Sequence, residues 1–251
     1  MKIKKGFAIK LIDVSKKYIL HHEKPTLVEN IFRFRRKEEI WALKDINLEI
    51  KKGEKIGIIG DNGSGKTTLL KIITGITSPT KGELGVNGRV AALIDLEAGF
   101  HPELTGEENI YLNGMLLGMS KEEIKQKFTD IVKFSGLEKF IDTPFHTYSS
   151  GMRLRLGFSV AAHSNPNILL MDDEAIFLGD RKFQNKIQDK IKDFYKLGKT
   201  VIIVSHWLEY LEKNSEKVIL MKDGEIKKIG IPKSTISYYK NTRFSKKIQY
   251  Y

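Results

Sequence analysis

The sequence predicts an α/β protein with a parallel sheet covered by helices on both faces, and three observations predict it. Short apolar runs recur at 55–59 (KIGII), 168–171 (ILLM), 200–204 (TVIIV) and 217–221 (KVILM), alternating with helical stretches. Strands that are apolar on both sides belong to sheets buried on both sides. A glycine-rich turn joins the first of these runs to a helix beginning at Lys66, and a purely helical block, 103–165, interrupts the alternation.

Taken in order, 7–14 and 41–50 alternate apolar and polar residues as half-buried strands do, which predicts an N-terminal antiparallel sheet. The stretch 21–40 between them is charged and aromatic and reads as an insert. After the run at 55–59 a helix extends from 66 to about 76, SPTKG (78–82) turns, and 83–94 reads as one or two short strands around the hairpin dipeptide Asn87-Gly88. The helical block holds three helices, near 105–118, 121–134 and 151–165, the second opened by a capping box from Ser120 to Glu123. A helix at 181–197 follows the run at 168–171, and Lys222-Asp223-Gly224 turns the run at 217–221 into a terminal hairpin strand, 225–229. The expected organisation is one domain over 1–251: a core of about 1–95 and 166–240, a helical subdomain of about 96–165, and a basic tail, 241–251, of which 243–251 (RFSKKIQYY) is read as disordered.

Composition narrows the partners. The 251 residues carry 43 Lys+Arg against 31 Asp+Glu, a formal charge of +12, and 41% are hydrophobic, enough to fill a core. With no cysteine, disulfide scaffolds and thiolate metal sites are excluded, which fits a reducing compartment. The start, MKIKKGFAIKLIDV, lacks an uninterrupted apolar region, so no secretory signal is expected, and no window approaches the roughly 20 apolar residues of a membrane span. The basic excess suits nucleic acid, an anionic membrane surface or a polyphosphate ligand. Lysine spread over solvated faces would produce the same balance.

Gly60-Asp61-Asn62-Gly63-Ser64-Gly65-Lys66-Thr67 has the spacing G-x-x-x-x-G-K-[ST], between a strand and a helix that continues with Thr68. Backbone N–H groups that wrap a phosphate exclude Cβ atoms at the tight positions, so glycine occupies them. The following helix aims its positive end at the same oxygens. Lys66 is the candidate cation for the β- and γ-phosphates of ATP, and Thr67 the candidate Mg²⁺ ligand.

Further motifs follow. Tyr148-Ser149-Ser150-Gly151-Met152 precedes a helix; Asp172, at the end of the strand 168–171, lies 23 positions after Ser149; Leu178-Gly179-Asp180 and Val204-Ser205-His206 come next. In this order they resemble the signature segment (as YSSGM, not LSGGQ), Walker B, D-loop and H-loop of ATP-binding-cassette ATPases, with a P-loop NTPase core, over about residues 7–230. The resemblance implies a homodimer in which two cassettes pack head to tail. Ser149, Ser150 and Gly151 of one copy would face the γ-phosphate held by the other, and His206 would contact the γ-phosphate within its own chain. Tyr18 resembles the aromatic that stacks on adenine, with Trp41 the alternative.

Two departures mark this chain. Asp172-Asp173-Glu174 offers three acids where the family has two, and counting from the signature or back from Asp180 differs by one residue. Reach favours Asp172 on Mg²⁺ and Glu174 as general base, Asp173 being the alternative base, because an aspartate falls about an ångström short of the attacked phosphorus. The segment 91–110 (AALIDLEAGFHPELTGEENI) lacks the family's Q-loop glutamine, Asp95 and Glu97 being its nearest polar substitutes.

YSSGM, the glutamine-less segment, the insert and the Gly-Asp D-loop together resemble the ATP-binding subunits of bacterial cell-surface polysaccharide exporters of O-antigen, teichoic acid and capsule type. The resemblance implies a peripheral protein on the cytoplasmic face of the cytoplasmic membrane. There it would drive a polytopic permease subunit that moves a lipid-linked glycan, with no nucleic acid partner. Some O-antigen members carry a C-terminal carbohydrate-binding domain; none is expected within 251 residues. In the insert, Val28, Ile31, Phe32 and Phe34 beside Arg33, Arg35, Arg36 and Lys37 suggest docking to lipid headgroups or acidic permease loops, a solvated loop being the alternative. The rival classes are a nucleic-acid-associated ABC ATPase and an importer ATPase.

Overall fold

The computed structural model describes residues 6–20, 38–94 and 96–247, the side chains of Leu20, Glu174 and 243–247 excepted. The predicted insert lies largely outside the described residues, as do Asp95 and 248–251. The first half contains β1 (Phe7–Leu20), β2 (Glu38–Lys51), β3 (Lys55–Ile59), α1 (Lys66–Ile73), β4 (Lys81–Val86) and β5 (Val90–Leu93). Then come α2 (Gly106–Leu116), α3 (Lys121–Ser135), α4 (Ser150–His163), β6 (Ile168–Met171), α5 (Asp173–Ile176) and α6 (Arg181–Lys196). The chain continues through β7 (Thr200–Val204), α7 (Leu208–Asn214), β8 (Lys217–Lys222), β9 (Glu225–Gly230) and α8 (Pro232–Lys247). No helix among the described residues is long and apolar enough to cross a membrane.

Six strands form the central sheet in the order β5-β6-β7-β3-β8-β9, parallel except for β9, and β2-β1-β4 form a separate antiparallel sheet. Alternation along β6 assigns the two faces. Leu169 and Met171 pack with Phe158 of α4, Phe183 and Ile187 of α6 and Ile236 of α8. Ile168 and Leu170 pack with Leu69 and Ile72 of α1 and with Ile9 and Ile50 of the antiparallel sheet. A third cluster, around Ile110, Ile124, Ile131 and Leu156, holds α2, α3 and α4 together. Every residue of β6 and β7 is buried, as continuous apolar runs require.

The fold departs from the sequence reading in four places. β1 and β2 are 14 residues each, beyond the expected 7–14 and 41–50, because the pair continues as a ribbon to Leu20 opposite Glu38. Asn87-Gly88 does not close a hairpin: β4 pairs with β1 and β5 with β6, so the dipeptide carries the chain from one sheet to the other, where Asn167 accepts from the Arg89 amide at 2.8 Å. The first helix stops at Ile73 rather than near 76, since Gly75 turns with φ 78°. The tail expected to be disordered is helical through 247, α8 being anchored by buried Ile236 and Tyr239. The hairpin at 222–225 forms as expected, with Asp223 and Gly224 both at positive φ, as a tight two-residue turn requires.

Candidate functional site

The carboxyl ends of β3, β6 and β7 open on one cleft of about 630 Å³, and its walls hold most of the predicted site. Its floor is residues 62–66 of the loop that begins at Gly60, Gly60 and Asp61 themselves not lining it. Gly60 has no room for a side chain, because a Cβ there would stand 2.3 Å from the Met221 carbonyl oxygen; at Gly65, φ 100°, it would meet the Ala42 oxygen at 2.5 Å. Gly63, at φ 77°, faces open space. Gly65 ends the loop as the α1 N-cap without a side-chain cap, so the first amides of the helix remain available to an anion. No acidic residue sits in the first turn of α1 to compete for them.

Lys66 lies back on this loop, its Nζ donating to the carbonyls of Gly60 and Asp61 at 2.9 Å each. Burial pulls its amine below the usual lysine value, opposed by the charges of Asp61 and Asp173. Gly63, Ser64, Thr67, Thr68 and Asn62 complete the phosphate end of the cleft. The Ser64 hydroxyl is buried with no hydrogen-bond partner, an orphan that a bound polar group would satisfy.

Asp172 and Asp173 form the opposite wall with His206. Asp172 accepts from the Ala175 amide at 3.2 Å and so caps α5. Asp173 is tethered to the segment after β7: its Oδ2 accepts from the His206 backbone N–H at 2.9 Å, while its Oδ1 is buried without a hydrogen-bond partner. The Glu174 side chain, expected as general base, lies outside the described residues. Glu97 does not line the cleft; its carboxylate pairs with Arg153 at 3.7 Å.

At the other end, Tyr18, Ile40, Trp41 and Ala42 close the cleft. The register sets Tyr18 opposite Ile40 and Lys17 opposite Trp41. Both rings carry lysine ammonium groups, Trp41 two of them (Lys17 at 5.6 Å and Lys81 at 5.5 Å) and Tyr18 one (Lys16 at 5.3 Å), and Tyr18 is 39% exposed. Tyr18 lies within β1, not after it as the sequence reading had it.

Ser149, Ser150 and Gly151 stand apart, none of them lining the cleft. Ser149 is the α4 N-cap, accepting from the Met152 amide at 3.3 Å, and a Cβ on Gly151 would meet nothing within 4 Å. The segment opens a helix as the loop from Gly60 to Lys66 does, with Ser149 and Ser150 exposed, but here the N-cap is a side-chain hydroxyl. Asp180 caps α6 through the Phe183 amide at 2.8 Å, a bond that holds its carboxyl below the usual range.

One contact escaped the sequence reading. The Tyr239 hydroxyl of α8 donates to Asp61 Oδ1 at 2.9 Å, across 178 positions, so the last helix braces the phosphate loop. Buried spacing at 236 and 239 behind a proline at the helix start was the available signal.

The chain resembles known proteins over most of its length. A family model described as "ABC transporter" matches residues 43–175. The chain is 47% identical over 201 residues to the O-antigen export system ATP-binding protein RfbB of Myxococcus xanthus, covering 80% of the chain but 46% of that relative. It is 40% identical to the O-antigen export system ATP-binding protein RfbB of Klebsiella pneumoniae, over 90% of the chain and 95% of the relative. It is 40% identical to the teichoic acids export ATP-binding protein TagH of Shouchella clausii, over 92% of the chain and 64% of the relative. Among solved structures, a dimeric ATP-binding cassette in a post-hydrolysis state, bound to ADP and Pi, superposes with TM-score 0.70 at 29% identity, over 89% of the chain and 98% of that structure.

Proposed function

Since the chain belongs to the ABC transporter family, we propose that it is the ATP-hydrolysing subunit of an exporter that moves a lipid-linked cell-surface polysaccharide. In this reading two copies close head to tail over two nucleotides and drive a polytopic permease from the cytoplasmic face of the membrane. One observation carries the dimer: Lys66, Asp172, Asp173 and His206 share a cleft, while the second phosphate-binding turn, Ser149-Ser150-Gly151, lies outside it. The turn has a γ-phosphate to meet when another copy supplies it. The relatives' names support polysaccharide export over a nucleic-acid role.

Tyr18 stacks on adenine, and the α1 amides and Lys66 hold the β- and γ-phosphates. The residues fit Mg²⁺: Thr67 and Asp172, a hydroxyl and a carboxylate of the oxygen kind that Mg²⁺ takes, line the cleft. When bound, Mg²⁺ would neutralise charge on the β- and γ-oxygens. Asp173 is our assignment for the acid that takes the proton of the attacking water, with Glu174 the alternative. Reach favours Glu174, but position is the stronger argument, since the His206 amide fixes one Asp173 oxygen and leaves the buried other one unpartnered.

Two results test this reading. Tyr18→Ala is expected to raise half-saturating ATP about tenfold through lost stacking, and Trp41→Ala to change it less than about twofold, as measured by ATP turnover. Co-expressed with a polytopic permease from the same organism, the chain is expected to co-purify with it and to show ATP turnover that rises with lipid-linked glycan. Retention on DNA or RNA that falls steeply with salt, without permease binding, would point to the nucleic-acid class instead.

A further inference from the structure

The mechanism leaves the glutamine-less segment unused, yet 96–104 is stitched to the turn leading into Ser149. The Phe145 and His146 amides donate to the carbonyls of Leu104 and Pro102 at 2.8 and 2.9 Å. The rings of Phe100 and Phe145 stack with centroids 4.8 Å apart and planes within 3°. Gly157 lets α4 run so close to this segment that a Cβ there would lie 2.2 Å from the Leu96 oxygen.

Arg153 joins the two stretches through one guanidinium. Nε donates to the Tyr148 carbonyl at 3.1 Å and Nη2 to that of His146 at 3.2 Å, the group lies 5.5 Å from the Phe145 ring centroid, and Nη1 pairs with Glu97 at 3.7 Å. With Arg153 and Glu97 side chains 32% and 41% exposed, attraction between the charges contributes little by itself. The planar fork contributes geometry, holding two carbonyls of the turn just before Ser149.

We propose that Arg153 is the positioning residue that locks the signature turn to the segment 96–104, with Glu97 as its charge partner, so that the two move as one body toward the nucleotide on a second copy. This rests on the head-to-tail reading above. The test is ATP-driven dimerisation of the full chain, followed by sedimentation with Mg²⁺ and a non-hydrolysable ATP analogue. ADP affinity of the separate chain, followed by tryptophan fluorescence, serves as the control for a general structural effect.

Arg153→Gln is expected to raise the analogue concentration for half-maximal dimerisation about tenfold, with Arg153→Lys close behind because a lysine lacks the fork. Glu97→Gln, which leaves the backbone contacts intact, is expected to raise it about twofold, and the double variant to be no worse than Arg153→Gln alone. ADP affinity is expected to stay at the unsubstituted value throughout. Unchanged dimerisation in Arg153→Gln, a fully additive double variant, or an equal loss of ADP affinity would overturn the assignment. An unsubstituted chain that never dimerises would instead sink the head-to-tail reading.

Discussion

Asp173→Asn is expected to lower ATP turnover at least about 100-fold while ATP still binds, and Glu174→Gln to leave turnover within about threefold. Asp173 sits where the strand end and the segment after β7 converge, with Oδ2 fixed by the His206 amide at 2.9 Å and Oδ1 buried without a partner. Exchanging that oxygen pair for an amide keeps the tether and removes the proton acceptor. The missing methylene matters less than it would for a free aspartate, because Asp173 is the first residue of α5 and itself lines the cleft. Steady-state turnover beside a nucleotide-binding titration separates chemistry from affinity. Normal turnover in Asp173→Asn with loss in Glu174→Gln would transfer the base to Glu174.

The second large effect concerns stability. Gly157→Ala is expected to lower the unfolding free energy by about 2–3 kcal/mol, the cost of overpacking a site that cannot relax. The obstacle is backbone: the Leu96 carbonyl oxygen would lie 2.2 Å from the new methyl, inside the contact between α4 and the segment after β5. Alanine is otherwise the better helix former by about 1 kcal/mol, so propensity predicts the opposite sign. Gly151→Ala is the contrast, since a methyl there meets nothing within 4 Å. It is expected to keep the urea midpoint or raise it slightly, as helix propensity favours, and to impair turnover, because in the proposed dimer it faces the second copy. Equal midpoints for Gly157→Ala and the unsubstituted chain would contradict the close packing of α4 on 96–104.

What could be read from the sequence was what the backbone demands locally. The loop from Gly60 to Lys66 needs glycine where neighbouring carbonyls approach and α1 must begin uncapped, and both requirements are written in seven consecutive residues. The runs at β6 and β7 announce their double burial in the same way, and Asp223-Gly224 announces its turn. Contacts between distant segments were not legible. Asn87-Gly88 has a hairpin's composition, yet β4 and β5 go to different sheets because their partners, β1 and β6, are decided by the core rather than by the turn. Tyr239 braces Asp61 across 178 positions. Glu97 reads as a polar substitute within a loop, and its pairing with Arg153 depends on how α4 packs against that loop.

Asp173→Asn also supplies the material for the most direct test of the nucleotide sandwich, the molar mass of the turnover-blocked chain by sedimentation equilibrium. Monomers are predicted without nucleotide and with ADP, and a dimer with Mg²⁺ and ATP that is lost when Ser149→Arg is added, since a bulky cation on the exposed α4 N-terminus would block the facing phosphate. A monomer at saturating ATP, or a dimer indifferent to Ser149→Arg, would contradict the account.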